Sequence, residues 1–131
     1  MEKVQSSPAA RAFFDYTRAF QSGDPRGVAA HFNEPALMIT PKGVYPLPDR
    51  EAVEQLYGSI MAEMPDNYAR TEFLRVDEQR LGDDLVAMSG SGTWVDTDGQ
   101  RFMPFGMTYT LRRSDQGWRI VTAIIHSADV S

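Results

Sequence analysis

The chain has no cysteine among its 131 residues, which excludes disulfide bonds and thiolate metal sites. Its two histidines, His31 and His126, stand far apart and form no metal-binding motif. The net charge is −5 and the basic residues are scattered, so a surface for nucleic acid or anionic membrane is not expected. No apolar run approaches the roughly 20 residues of a membrane span, and no apolar signal core opens the chain. These absences predict a soluble cytoplasmic protein without a cofactor, a metal, a nucleic-acid partner or a membrane partner.

The composition suits one folded domain. The sequence is 42% hydrophobic, which is enough for a sizeable core. No repeat, linker or low-complexity segment divides residues 1–131, and residues 1–7 read as a loose tail. We therefore expect a single domain over the whole chain.

Apolar residues at helical spacing mark the first helix, which is predicted over 8–22 with Ser7 as its cap. Gly23 can adopt the left-handed conformation that ends such a helix. The apolar stripe consists of Ala9, Ala12, Phe13, Tyr16 and Phe20. One aromatic face of this helix is therefore expected to pack against the rest of the protein.

Two further helices and a short strand complete the first half of the chain. Asp24 and Pro25 suit the start of a short helix over 25–32. A buried strand is predicted over 36–40, and a small hairpin arm follows before Pro46 stops it. Asp49 then caps a third helix that runs to about residue 64.

The second half of the chain reads as strands only. Turn chemistry recurs at regular intervals, around 82–84, 97–99 and 114–117. The strands between these turns are expected over 68–79, 85–96, 101–113 and 118–128. Their regular spacing predicts an antiparallel meander of long strands.

The order of helix, short helix, strand, helix and long strands resembles the NTF2-like superfamily, in particular its SnoaL-like and polyketide-cyclase-like branch. The residues that carry the resemblance lie at 19–32 (AFQSGDPRGVAAHF), 109–113 (YTLRR) and 114–126 (SDQGWRIVTAIIH). The resemblance implies an α+β cone in which N-terminal helices pack in a strongly curved, mostly antiparallel sheet. It does not specify an activity, because this fold hosts enzymes and binding proteins alike.

Tyr16 is the first candidate for chemistry, because it lies on the apolar stripe. Ketosteroid isomerase, a member of the superfamily, uses a tyrosine as hydrogen-bond donor, and aligning the Gly-Asp breaks places Tyr16 on it. The same register places Thr40 on the general-base aspartate, and Met107 or Thr108 on the second donor. Since threonine cannot act as that base, proton abstraction of this kind is not expected. Tyr16 is then a donor to a ligand, or a core tyrosine bonded inside the cone.

His126 is the second candidate for chemistry. It is expected on one strand face together with Trp118, Ile120, Thr122 and Ile124. At the mouth of a cone it could act as a general acid or base near neutral pH. SnoaL-like cyclases use a histidine and an aspartate, but no motif fixes which positions here would match. The alternative is a strand-end histidine bonded to a neighbouring carbonyl.

An apolar pocket is better supported than a reaction. Seven methionines would give it a deformable lining, and Gly90 and Gly92 would relieve bulk where the sheet bends or a ligand approaches. Beside Tyr16, the candidate pocket residues are Phe13, Phe20, Met38, Thr40, Tyr57, Ile60, Met61, Trp94, Phe105, Met107, Tyr109 and Ile124. The alternative is that these side chains fill the core completely.

The sequence therefore predicts an NTF2-like protein that binds a small, mostly apolar organic molecule. Catalysis as an isomerase, cyclase or hydrolase is left open. The rival hypothesis is a non-catalytic homodimeric or accessory module with a vestigial pocket. A homodimer is expected because the strands hold more apolar residues than one sheet face can bury, namely Val86, Met88, Trp94, Phe105 and Tyr109.

Overall fold

The computed structural model describes residues 7–127, and these form three helices and six strands. The expected loose tail therefore lies outside the described residues except for Ser7, and so does residue 128 of the predicted last strand. The elements are α1 (Pro8–Gln21), α2 (Pro25–Ala29), β1 (Phe32–Thr40), β2 (Gly43–Leu47), α3 (Arg50–Ala62), β3 (Tyr68–Gly82), β4 (Leu85–Asp96), β5 (Arg101–Ser114) and β6 (Gly117–His126). The predicted α+β class, with N-terminal helices on a mostly antiparallel sheet, is confirmed.

The two longer helices begin where their capping residues predict. The Ser7 hydroxyl accepts a hydrogen bond from the backbone N–H of Ala10 at 3.0 Å, so Ser7 caps α1. The Asp49 carboxylate accepts one from Ala52 at 2.9 Å and caps α3 in the same way. Each cap satisfies a backbone donor that the helix itself leaves unpaired.

The prediction for residues 25–36 is wrong in its boundaries. The second helix ends at Ala29, and the strand that follows begins at Phe32 instead of residue 36. Phe32 is buried and pairs with Ile120 of β6, so a tertiary contact that lies far away in sequence decides its conformation. Pro46 also lies within β2 instead of stopping it, because β2 is an edge strand that can lack an N–H donor.

The sheet is open and mixed, with the strand order β2-β1-β6-β5-β4-β3. Among the described strands, β1 and β6 form the parallel pair and the other neighbours are antiparallel. Phe13 and Tyr16 of α1 pack against Tyr109 of β5, with ring centroids 5.1 and 5.4 Å apart. Because side chains alternate along a strand, the odd-numbered residues of β5 from Met103 to Leu111 share this helix-covered face.

The register overturns the reason given for a dimer. Val86, Met88 and Trp94 pair with Leu111, Tyr109 and Met103, so they also lie on the helix-covered face. All the apolar residues that suggested a second buried face therefore belong to the face that the helices already cover. The opposite face carries a different set of side chains.

Gly90 of β4 lets β3 approach closely at a bulge. The register between β3 and β4 shifts between Phe73 and Arg75, which leaves Leu74 as an extra residue. At this bulge a side chain on Gly90 would overlap the backbone carbonyl of Arg75. Gly90 is therefore needed for the close approach of β3, and the bulge lets both Phe73 and Val76 pack against the core.

Candidate functional site

The helices and the sheet enclose a cavity of about 480 Å³. Side chains from α1, α3 and every strand except β2 line it, so we call it the cone cavity. Of the candidate residues, those on its wall are Tyr16, Phe20, Met38, Thr40, Tyr57, Ile60, Trp94, Phe105, Met107, Tyr109 and His126. No Asp, Glu, Lys or Arg belongs to the lining, so the described wall carries no permanent charge.

Three tyrosines from three elements meet at this wall. The hydroxyl of Tyr16 lies 2.8 Å from that of Tyr57 and 2.8 Å from that of Tyr109. We call Tyr16, Tyr57 and Tyr109 the tyrosine triad. α1, α3 and β5 each contribute one member, so packing of the helices against the sheet assembles it.

The triad is neutral over the physiological pH range. Burial raises the pKa of all three phenols well above the ordinary value of 10.0, and each phenol also disfavours ionisation of a neighbour. The triad can therefore donate and accept hydrogen bonds, but it cannot supply a phenolate as a base.

A count of protons shows what the triad offers the cavity. Three hydroxyls carry three protons, and the two hydrogen bonds through Tyr16 use two of them. Whichever way these bonds point, one O–H remains without an acceptor inside the triad. All three hydroxyl-bearing side chains line the cavity, so the remaining proton can be donated to a bound molecule.

His126 borders the cavity, but both of its ring nitrogens have partners. Nδ1 lies 3.0 Å from the carbonyl oxygen of Ser127, and Nε2 lies 3.2 Å from the hydroxyl of Thr108. Since a carbonyl can only accept, Nδ1 carries the proton and Nε2 accepts from Thr108. The ring also fills the space that a side chain on Gly106 would need. A role as general base would require His126 to give up one of these bonds.

Three candidate pocket residues do not line the cavity. Phe13 is fully buried behind the wall and packs against Phe73 and Tyr109. Met61 packs against the core beside Ile60, the α3 residue that does face the cavity. Ile124 is absent from the wall, where Ile125 takes its place.

A bulge in β6 explains the misplacement of Ile124. Ile120 pairs with Leu111, and Thr122 pairs with Thr110, so Val121 is an extra residue. Leu111 and Thr110 point to opposite faces. The expected common face from Trp118 to His126 is therefore split at Val121, and Ile124 lies opposite the helices with Thr122.

Several wall residues were not predicted. They are Thr17, Pro41, Thr71, Phe73, Met103, Pro104, Ile125 and Ser127. Simple alternation with Phe105 and Met107 could have identified Met103. Phe73 directly precedes the bulge at Leu74, and Ile125 follows the bulge at Val121 in β6. The alternation of the sequence does not reveal either bulge.

Residues 7–127 contain no group of three or more His, Asp or Glu side chains placed to hold a metal ion. Within the same residues, none of the helices is both long and apolar enough to cross a membrane.

Comparison with known protein families identifies the family of this chain. The family model described as "NTF2-like protein (DUF6841)" matches residues 6–128. The chain therefore belongs to this NTF2-like family, as the resemblance in its sequence predicted. Among curated proteins, none matches the sequence.

Solved structures from bacteria share the fold. A domain of unknown function with a cystatin-like fold from Nostoc punctiforme is 20% identical with a TM-score of 0.74, over 100% of this chain and 80% of that one. Aln2 from a Streptomyces species is 20% identical with a TM-score of 0.76, over 93% and 89%. A ketosteroid isomerase-like protein from Erwinia carotovora is 14% identical with a TM-score of 0.71, over 99% and 98%. At these identities the likeness concerns the fold alone.

Proposed function

We propose that this member of the NTF2-like family binds a small, mostly apolar organic molecule in the cone cavity. The observation that carries the proposal is the uncommitted O–H of the tyrosine triad at the wall of an apolar cavity of about 480 Å³. Cavities of this size, with apolar walls and few polar groups, are typical of ligand sites.

The wall also favours a neutral ligand. An ion moved from water into this cavity would lose its hydration without meeting an opposite charge, which is costly. A carbonyl, ether or hydroxyl oxygen instead needs one donor, and the triad provides one. The ligand is therefore an uncharged molecule whose apolar body fills the cavity and whose oxygen reaches the triad.

A reaction in this cavity would depend on the same donor. Isomerases, cyclases and hydrolases all develop negative charge on an oxygen, which an O–H donor stabilises. No carboxylate lines the described wall, and the nitrogens of His126 are already bonded. The wall thus favours binding over proton abstraction, and it makes the tyrosine triad the first group to test for any catalysis.

Thermal shift with a library of neutral apolar compounds tests the proposal. A ligand that binds only the folded state raises the melting temperature with its concentration. Ile60→Trp should fill the cavity from α3 and abolish the shift. Ser59→Trp, on the exposed side of the same helix, should retain it. If hits shift Ile60→Trp and the unaltered protein equally, the cavity is not the binding site.

A homodimer is a second proposal, supported by the face opposite the helices. Ile39 of β1 pairs with Val44 of β2 and Ile124 of β6, so three aliphatic side chains form one row. Val44 is 60% exposed. A second copy of the chain would cover this row. Sedimentation should then show a dimer that Val44→Asp dissociates, and a monomer at tens of micromolar, roughly where weak interfaces dissociate, would contradict it.

A further inference from the structure

Thr40 is a second hydroxyl-bearing residue of the cavity wall to consider beside the triad. Thr40 ends β1 and lines the cavity, and its oxygen accepts a hydrogen bond from the backbone N–H of Lys42 at 3.1 Å. This bond stabilises the turn into β2 and occupies one lone pair of the oxygen. No described residue accepts the Thr40 proton, so the O–H remains available.

The other threonine hydroxyls of the wall are already engaged. Thr17 donates to the carbonyl of Phe14 at 2.8 Å. Thr71 shares a hydrogen bond of 2.8 Å with the hydroxyl of Tyr68. Both hydroxyls therefore already have a protein partner, although the Tyr68–Thr71 pair keeps one proton outside its bond. Thr40 differs in that no described residue accepts from it.

We propose that the ligand of the cone cavity carries two neutral acceptor oxygens, one bonded by the triad and the other by Thr40. This inference rests on the proposed function and specifies its ligand class: an apolar skeleton with two carbonyl-type oxygens, such as a diketone or a quinone.

The structure also explains why two acceptors would be preferred to two donors. A ligand hydroxyl can also accept this O–H, but it brings a proton of its own that then needs an acceptor. A buried donor without a partner costs more than the bond it replaces gains. A carbonyl oxygen satisfies the protein donor and leaves nothing unpaired.

Calorimetric titration with matched ketones tests the inference. The probes are 1,4-diacetylbenzene and 1,4-naphthoquinone as diketones, and acetophenone and 1-tetralone as the corresponding monoketones. The absence of cysteine removes the residue that quinones modify most readily. The triad is tested by the triple change Tyr16→Phe, Tyr57→Phe and Tyr109→Phe, which removes every triad proton and leaves no triad hydroxyl unpaired. Thr40→Val tests the second point, and Thr97→Val, in the exposed turn after β4, is the matched control.

For at least one diketone, Thr40→Val and the triple triad variant should each raise Kd about fivefold, the equivalent of one neutral hydrogen bond. For the corresponding monoketone, no more than one of these two variants should raise Kd about fivefold. Thr40→Ser should restore diketone binding, and Thr97→Val should change the Kd of neither ketone.

Two other results would overturn the inference, and they differ. If ketones bind and the triple triad variant weakens their binding while Thr40→Val does not, the second point is wrong and the proposed function stands. If no ketone binds, and the neutral library gives no thermal shift either, both the ligand class and the proposed function fail.

Discussion

The hydroxyl oxygens of Tyr16 and Tyr109 lie 2.8 Å apart, although 93 positions separate the two residues in the chain. Tyr16 lies on α1 and Tyr109 on β5, so this bond joins the helical layer to the sheet at the cavity wall. Tyr57 of α3 bonds to the same Tyr16 oxygen. Tyr16 is therefore both the centre of a buried polar cluster and a wall residue of the cavity.

Tyr16→Phe should destabilise the fold more than Tyr57→Phe or Tyr109→Phe. Removing the central hydroxyl breaks both bonds and leaves two buried hydroxyls unpaired, whereas removing a terminal one breaks a single bond. We expect losses of about 3 kcal/mol and about 1 kcal/mol in the free energy of unfolding. Urea unfolding of the three variants measures this, and equal losses would show that the hydroxyls are not linked through Tyr16.

Stability should fall steeply at alkaline pH. The pKa of each triad phenol is raised in the folded state, so above the ordinary value of 10.0 the unfolded chain loses protons that the fold retains. The stabilisation is complete below pH 10.0 and is lost as the pH rises towards the folded pKa. The expected slope is about 1.4 kcal/mol per pH unit for each phenol, or about 4 for the triad.

Unfolding by urea between about pH 9 and pH 11 measures this slope. Tyr57→Phe should reduce this slope by the contribution of one phenol, about 1.4 kcal/mol per pH unit. A slope unchanged in this variant would mean that Tyr57 ionises equally in the folded and unfolded states.

Two glycines should respond oppositely to a methyl group. A side chain on Gly90 would overlap the Arg75 carbonyl at the β3 bulge, so Gly90→Ala should cost about 1–3 kcal/mol. A side chain on Gly58 of α3 meets no atom within 4 Å, so Gly58→Ala should stabilise the protein by about 0.5–1 kcal/mol through helix propensity. Thermal unfolding compares them, and a harmless Gly90→Ala would contradict the close approach of β3 to β4.

The unaltered protein should not isomerise a 5-ene-3-ketosteroid. The reaction needs a base for proton abstraction, and no Asp or Glu lies among the wall residues, where Thr40 occupies the position implied by the resemblance. Absorbance of the conjugated product measures the activity. Isomerisation that Tyr16→Phe abolishes would show that another residue serves as the base.

Much of the fold could be predicted because its signals are local. Ser7 and Asp49 each cap a helix by accepting a hydrogen bond from a backbone N–H three residues later. The turn residues on either side of β4 place its bounds at 85 and 96, as predicted. The alternation of Phe105, Met107 and Tyr109 likewise places these residues on one face of β5, since no bulge interrupts it, but it does not tell which face the helices cover. The sequence by itself therefore determined the α+β class and the family.

Tertiary structure decided the rest. The bulges at Leu74 and Val121 depend on how neighbouring strands pair, and they moved Phe73 and Ile125 onto the cavity wall and Ile124 off it. The sequence did not predict the triad either, because no local pattern tells which hydroxyls form hydrogen bonds across 41 or 93 positions. A hydrogen bond and a bulge are set by the position of a distant partner, and that position exists only once the helices and the sheet have packed.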